Sequence, residues 1–336
     1  MTRVLCIGLG GLGVIASYSL LRNDNVEITA IIRSDYDIVT SRGYIIDSID
    51  YKKDLGSITY QPNKIFKTID ELPDEPFDYV IVSTKVIPGS SGNIWNTVEK
   101  FASKLFHKGS ALVLIQNGIG IEKYWKGISG IKIISGVSYI SSTNNKGHVT
   151  QYGTDKVQFG YFDETIPVDD TLTKFVELYS NEYNSATIDT NVRLSRWRKL
   201  LYNASYNTVC CLTDLDIGRL YQLDDSKQSI ANVILPLMNE IKFAANLDLK
   251  QHNSPDLITD EHVTWMEEMT RQYDAPTNYQ PSMLVDSRNG RPIELEIILG
   301  NVLAIYKDLN GDPAKVEKLT FLYHLLELVQ YRLSLK

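Results

Sequence analysis

The N-terminus carries the feature that most narrows what this chain can fold into. Residues 3–7 run into Gly8 as a nearly continuous apolar stretch, the pattern of a strand buried on both faces. Gly8-Leu9-Gly10-Gly11-Leu12-Gly13 then satisfies G-x-G-x-x-G, and residues 11–22 have helical spacing. Strand, glycine turn and helix in that order predict a dinucleotide-binding unit. Gly8 permits the tight turn, Gly10 lets backbone approach a pyrophosphate, and Gly13 lets the helix pack on the strand. The free N–H groups of the helix then face the phosphates. The whole hexapeptide, Leu9 and Leu12 included, is the candidate cofactor turn.

The rest of the first half repeats the alternation. Residues 26–32, 78–84 and 111–115 are apolar runs, with a helical stretch near 93–106. Strands alternating with helices predict a parallel, doubly wound sheet. Residues 131–161 alternate and carry turn signals at Asn144-Asn145-Lys146-Gly147 and Gly153-Thr154-Asp155. They read as antiparallel hairpin structure finishing that sheet. Residues 169–181 read as one more helix. From about 190 the texture is helical, with 274–292 as a loop marked by Pro276, Pro281, Gly290 and Pro292. The expected fold class is therefore α/β. A Rossmann-type doubly wound sheet over 1–188 precedes an all-helical domain over 189–336, the break falling within 185–192.

Composition excludes several function classes. Lys plus Arg number 34 against 41 Asp plus Glu, a net charge of −7 over 336 residues. An acidic chain is a poor partner for nucleic acid or an anionic membrane, because phosphate affinity needs clustered positive charge. The three cysteines, Cys6, Cys210 and Cys211, include no C-x-x-C spacing. Neither a disulfide framework nor a structural metal site is expected, and a reduced, cytoplasmic protein is. No apolar run approaches the roughly 18 residues of a membrane helix. The N-terminal stretch reads as a strand, not a signal peptide.

The end of the second strand bears on which dinucleotide is bound. NAD binders usually place Asp or Glu there for the ribose hydroxyls. Here the strand ends Ile31-Ile32-Arg33-Ser34-Asp35. Arg33 is a cation able to meet a 2′-phosphate, with the Ser34 hydroxyl beside it, so NADP(H) is favoured. The competing reading has Arg33 solvated and Asp35 serving the ribose of NAD. Arg42 is either a second cation or an exposed residue.

In the second half, Lys199, Asn203 and Asn207 fall at i, i+4 and i+8 within Trp197-Arg198-Lys199-Leu200-Leu201-Tyr202-Asn203-Ala204-Ser205-Tyr206-Asn207. They share one helix face and make a polar stripe in an apolar setting. Buried polar groups need partners, so the stripe is either a site or an exposed face.

This segment and the glycine turn together resemble the ketopantoate reductase family (2-dehydropantoate 2-reductases), and the resemblance spans essentially the whole chain. Its further marks are Arg33, Ser83-Thr84-Lys85, Gln116-Asn117-Gly118, Gly147-His148-Val149 to Gly153, and Pro281-Ser282-Met283. Glu294 stands twelve residues after Ser282, and Gly300 six after Glu294. The resemblance implies NADPH-dependent reduction of a 2-oxo acid to a 2-hydroxy acid, with ketopantoate to pantoate in the pantothenate pathway as the default. It implies Lys199 as general acid and oxyanion stabiliser and Glu294 as its orienting carboxylate. Asn117 would meet the nicotinamide end of the cofactor and Lys85 would sit beside substrate and nicotinamide. Asn203, Asn207 and Ser282 would contact substrate.

Each role has a competitor. Lys85 has a competing reading as a solvated strand-end lysine, Asn117 as a turn residue and Ser282 as a helix cap, and Glu296 competes with Glu294. His148 and the two adjacent cysteines read as surface or core residues. The match also has gaps. Family members acting on ketopantoate usually carry Asn eighteen residues after the lysine, and Asn three residues before the Ser-Met pair. This chain has Ile217 and Tyr279 there. A bulkier or less polar 2-oxo substrate is the second reading, and a catalytically idle NADP-binding sensor the third. The site is expected in a cleft between the domains. Monomer and homodimer are both open.

Overall fold

The computed structural model describes residues 1–89, 93–222 and 228–335. They divide into two compact units. The first is built from Met1–Lys85 and most of 93–192. The second contains the segments that begin at Val86 and Asn117 together with the chain from Arg193 onward.

Among the described residues, the first unit holds twelve strands. In chain order they are β1 Thr2–Ile7, β2 Val26–Ile31, β3 Tyr44–Ser48, β4 Ile58–Tyr60, β5 Lys64–Phe66 and β6 Phe77–Val82. β7 Phe106–Leu114, β8 Lys132–Ser138, β9 Ser141–Asn145, β10 His148–Gly153, β11 Lys156–Tyr161 and β12 Ser185–Ile188 complete the set. Eight of them form one sheet in the order β12-β11-β8-β7-β6-β1-β2-β5. β1 lies in its interior, parallel to both neighbours, with Val4 beside Ile28 on one side and Tyr79 on the other. That position accounts for the unbroken apolar run, since both faces of a central parallel strand are covered. Val4, Cys6, Ile28, Ile81 and Val113 lie in its core. β11 pairs antiparallel with β8 and parallel with β12. The expectation of a doubly wound sheet and a helical C-terminal region holds.

Of the antiparallel structure expected over 131–161, β8 and β11 do finish this sheet, whereas the hairpin between them does not. β9 and β10 pair antiparallel with each other and belong to a separate four-stranded sheet, β4-β3-β10-β9. There β10 runs parallel to β3, His148 opposite Ile45. A hairpin turn fixes the pairing of its own two strands but not the sheet they join.

A buried polar cluster joins elements of this unit. Ser19, on helix α1 (Gly11–Leu21), donates to Asp155 at 3.0 Å, and the Tyr179 hydroxyl donates to the same carboxyl at 3.1 Å. Asp155 accepts these in a site where burial, aided by the charge of Asp50, pushes its carboxyl up to about 6. The folded state thus binds this proton more tightly than the unfolded chain. Stability contributed here is full at low pH and is lost as pH rises through about 4 to 6. Asp155→Asn is expected to remove that loss, because the two hydroxyls can rotate to meet an amide. Its melting temperature at pH 7 should rise by about 5 °C while the value at pH 4 changes little. Thermal melts at the two pH values check this; a variant as pH-sensitive as wild type over that interval refutes it.

The second unit is helical. The Lys199 helix, Val192–Tyr202, passes through a π-helical turn at Asn203–Asn207 into a further α-helix, Thr208–Thr213. The stripe is therefore not carried by one uninterrupted α-helix. Of three further π turns among the described residues, one, Glu296–Gly300, lies just past Glu294. Such turns re-aim side chains at the expense of regular hydrogen bonding and concentrate at functional sites. The loop expected over 274–292 contains a short helix, Ser282–Arg288. No helix among the described residues is long and apolar enough to cross a membrane.

Candidate active site

The first unit contributes a dinucleotide turn. Gly8 has φ +94°, and a Cβ there would lie 2.5 Å from Thr84. A Cβ on Gly13 would lie 2.2 Å from the Gly8 carbonyl oxygen, and the Ser83 hydroxyl donates to that oxygen at 2.5 Å. These two glycines are required by packing. Gly10 differs: a Cβ there would meet nothing within 4 Å. That open face, at the N-cap of α1 with no acidic side chain in the first turn, suits an incoming diphosphate. Leu9 is buried, and Leu12 packs against the sheet core. Near the turn the Thr84 and Ser142 hydroxyls are buried without a hydrogen-bond partner among the described residues, as expected of groups awaiting a polar ligand. The residues present therefore fit a dinucleotide.

The strand-end residues now separate. Arg33 and Ser34 are exposed, and Arg33 makes no hydrogen bond or ion pair among the described residues. Asp35 is 8% exposed and accepts from the Asn144 amide at 2.8 Å; that same amide donates to the Leu9 carbonyl at 3.1 Å. Asp35 is thus committed to holding the β9–β10 hairpin against the glycine turn. Arg42 is exposed. Lys85 is exposed three residues past the end of β6.

The second unit gathers Lys199, Asn117 and Glu294. The Lys199 ammonium donates to Asn117 Oδ1 at 2.7 Å, and Asn117 Nδ2 donates to Glu294 Oε2 at 3.4 Å. One amide side chain bridges the other two groups. Glu294 is 6% exposed, and its second oxygen accepts the Val86 backbone N–H at 3.2 Å. Glu296, the competitor, accepts from Tyr323 instead. Asn117 is held by its own turn. Gly118 has φ +89°, and a Cβ there would strike the Ile297 carbonyl oxygen at 2.4 Å. Ile119 N–H donates to that same carbonyl at 3.1 Å, and Asn301 donates to the Ile119 carbonyl at 2.6 Å. The Lys199 helix is anchored by Trp197, which donates to buried Asp248 at 2.7 Å, and by the Arg193–Asp248 ion pair.

Electrostatics tune the lysine. Burial, the larger cause, and the positive charge of Arg196 lower its ammonium to about 8, while the Glu294 charge opposes them. An amine with a pKa near neutrality can hold a proton and release it at working pH.

Of the remaining stripe, Asn207 is occupied. It accepts the Met283 N–H at 2.8 Å and donates to the Ser282 hydroxyl at 3.2 Å, so it fixes the start of the Ser282 helix. Ser282 itself is exposed. Asn203, one turn beyond Lys199, is 7% exposed and makes no hydrogen bond among the described residues. Ile217 is wholly buried, and its N–H donates to the Tyr279 carbonyl at 3.0 Å. The two departures from the family pattern are therefore backbone partners. His148 pairs with Asp47 at the surface, and Cys210 and Cys211 are core residues. The bridging position of Asn117 and the buried charge of Arg196 had no sequence signal that singled them out.

Known proteins share this fold. Residues 4–164 match the family described as ketopantoate reductase PanE/ApbA, and residues 191–330 match its C-terminal region. A Saccharomyces cerevisiae protein, YDL144C, described as uncharacterized, is 35% identical over 99% of this chain and 95% of its own length. The crystal structure of 2-dehydropantoate 2-reductase from Methylococcus capsulatus superposes with a TM-score of 0.79 at 24% identity, covering 99% of this chain and 98% of that one. The ternary structure of D-mandelate dehydrogenase with NADH and anilino(oxo)acetate gives 0.80 at 18% identity, each chain covered fully. This chain belongs to the ketopantoate reductase family.

Proposed function

We propose that the protein is an NADPH-dependent reductase of 2-oxo acids, with ketopantoate as the default substrate. The observation that carries the reading is Asn117 bridging Lys199 and Glu294 while the Lys199 ammonium is tuned to about 8. When bound, NADPH supplies the hydride. The glycine turn at Gly8–Gly13 would hold its diphosphate, and Arg33 with Ser34 its 2′-phosphate. Lys85 and Asn117 would serve the nicotinamide end and the substrate.

The residues of the chain do the acid chemistry. As negative charge develops on the ketone oxygen, the Lys199 ammonium stabilises it and delivers a proton to that oxygen. Asn117 fixes the ammonium through its amide oxygen, and Glu294 favours its charged form. Asn203 offers the substrate a polar group that makes no hydrogen bond among the described residues, and Ser282 an exposed hydroxyl steadied by Asn207.

This assignment sets a pH dependence. Lys199 must be protonated in the free enzyme, so kcat/KM should be level below about 8 and fall about tenfold per pH unit above it. A rate that instead rises through pH 8 would mean the amine acts as a base.

A second reading, reduction of a bulkier or less polar 2-oxo acid, is favoured by Ile217 and Tyr279 standing where family members acting on ketopantoate carry asparagine. NADPH oxidation against ketopantoate and a panel of aliphatic and aryl 2-oxo acids separates the two. Tight NADPH binding with no turnover on any of them overturns both and favours a cofactor sensor.

A further inference from the structure

We propose that Arg196 is a positioning residue for this site, holding the Asn117–Gly120 turn through the Gly118 carbonyl so that Asn117 keeps its amide between Lys199 and Glu294. The inference rests on the reductase reading and extends it to a residue outside the expected set. Arg196 stands three residues before Lys199 on the same helix, so the two side chains share a face. It is 3% exposed, and its guanidinium donates to the Gly118 carbonyl oxygen at 3.0 Å. Gly118 directly follows Asn117 and has the positive φ that only glycine adopts freely. Anchoring its carbonyl therefore sets the direction in which the Asn117 side chain leaves the backbone. The backbone of the turn is also held by hydrogen bonds with Ile297 and Asn301, and Arg196 adds a charged donor at the Gly118 carbonyl.

The location adds a second effect. The charged groups that act on the Lys199 ammonium are Arg196 from its own helix and Glu294 from the segment packed against it, and they act in opposite senses. One side chain thus fixes the partner of the ammonium and eases release of its proton.

The test uses the full-length protein with Arg196→Gln and Arg196→Lys. The first readout needs no turnover: the pH dependence of Lys199 acetylation by acetic anhydride, followed by peptide mass spectrometry. Wild type should give a midpoint near 8. Arg196→Gln should shift it upward and Arg196→Lys, which keeps the charge, should restore it. The second readout is steady-state kinetics on the best 2-oxo acid found. Arg196→Gln should lower kcat about 100-fold, the scale of a misplaced catalytic group, with KM little changed. An unshifted midpoint in a folded Arg196→Gln protein overturns the inference, whatever its kcat. If wild type reduces no 2-oxo acid, the reductase reading fails by itself, and the acetylation midpoints still decide the role of Arg196.

Discussion

Lys199→Ala is expected to lower kcat by about three orders of magnitude on whichever 2-oxo acid the protein reduces, while NADPH affinity stays near wild type. The split arises from location. Lys199 stands in the second unit, hydrogen-bonded to Asn117, whereas the candidate dinucleotide turn belongs to the first. The substitution removes both the charge that meets the developing oxyanion and the proton that quenches it, so the transition state loses more than the ground state. Lys199→Arg should recover little, because a guanidinium keeps its proton at every working pH. Glu294→Gln tests the opposite neighbour. Removing the carboxylate that favours the ammonium should move the alkaline fall of kcat/KM to lower pH, the reverse of the shift expected from Arg196→Gln. NADPH oxidation by Lys199→Ala at more than a tenth of the wild-type rate would remove this lysine from the chemistry.

The parts of the molecule legible in the sequence are those set by neighbours along the chain. β1, the Gly8–Gly13 turn and α1 are consecutive, and each declares itself by apolar run, glycine spacing or helical period. The preference for Glu294 over Glu296 rests on its spacing from Ser282 and Gly300, and in the fold Glu296 accepts from Tyr323. The four-stranded sheet was not legible, because β3 and β10 pair across about a hundred residues and each alone is a short alternating segment. The π turn at Asn203–Asn207 was hidden for a different reason. Helical periodicity assumes 3.6 residues per turn, and a local widening leaves the apolar pattern almost unchanged while rotating the side chains beyond it. Asn117 had a competing reading as a turn residue, and it is one; its further role depends on Lys199 and Glu294, 82 and 177 residues away.

Arg33→Ala is expected to weaken NADPH binding by about 50-fold and leave NADH affinity within about twofold, the difference being one set of charge-assisted contacts to a 2′-phosphate. Arg33 competes for the ribose end of the cofactor with Asp35, its neighbour two residues on. An NAD-type site needs a carboxylate offered to the ribose hydroxyls. Asp35 is buried, and its carboxylate accepts from Asn144, the residue that also clasps the Leu9 carbonyl of the glycine turn. Redirecting it would unfasten the β9–β10 hairpin from that turn. Arg33 carries no such duty: it is exposed and has no ion pair to give up among the described residues, so binding a dianionic phosphate requires no rupture of internal structure. Asp35→Asn should have a distinct signature. An amide there keeps an oxygen for Asn144, so the variant should retain its preference for NADPH and lose only stability. Titration of both dinucleotides by quenching of intrinsic fluorescence measures all three proteins. Equal losses of NADPH and NADH affinity in Arg33→Ala, or a collapse of NADH binding in Asp35→Asn, would return the ribose to Asp35 and make the cofactor NAD.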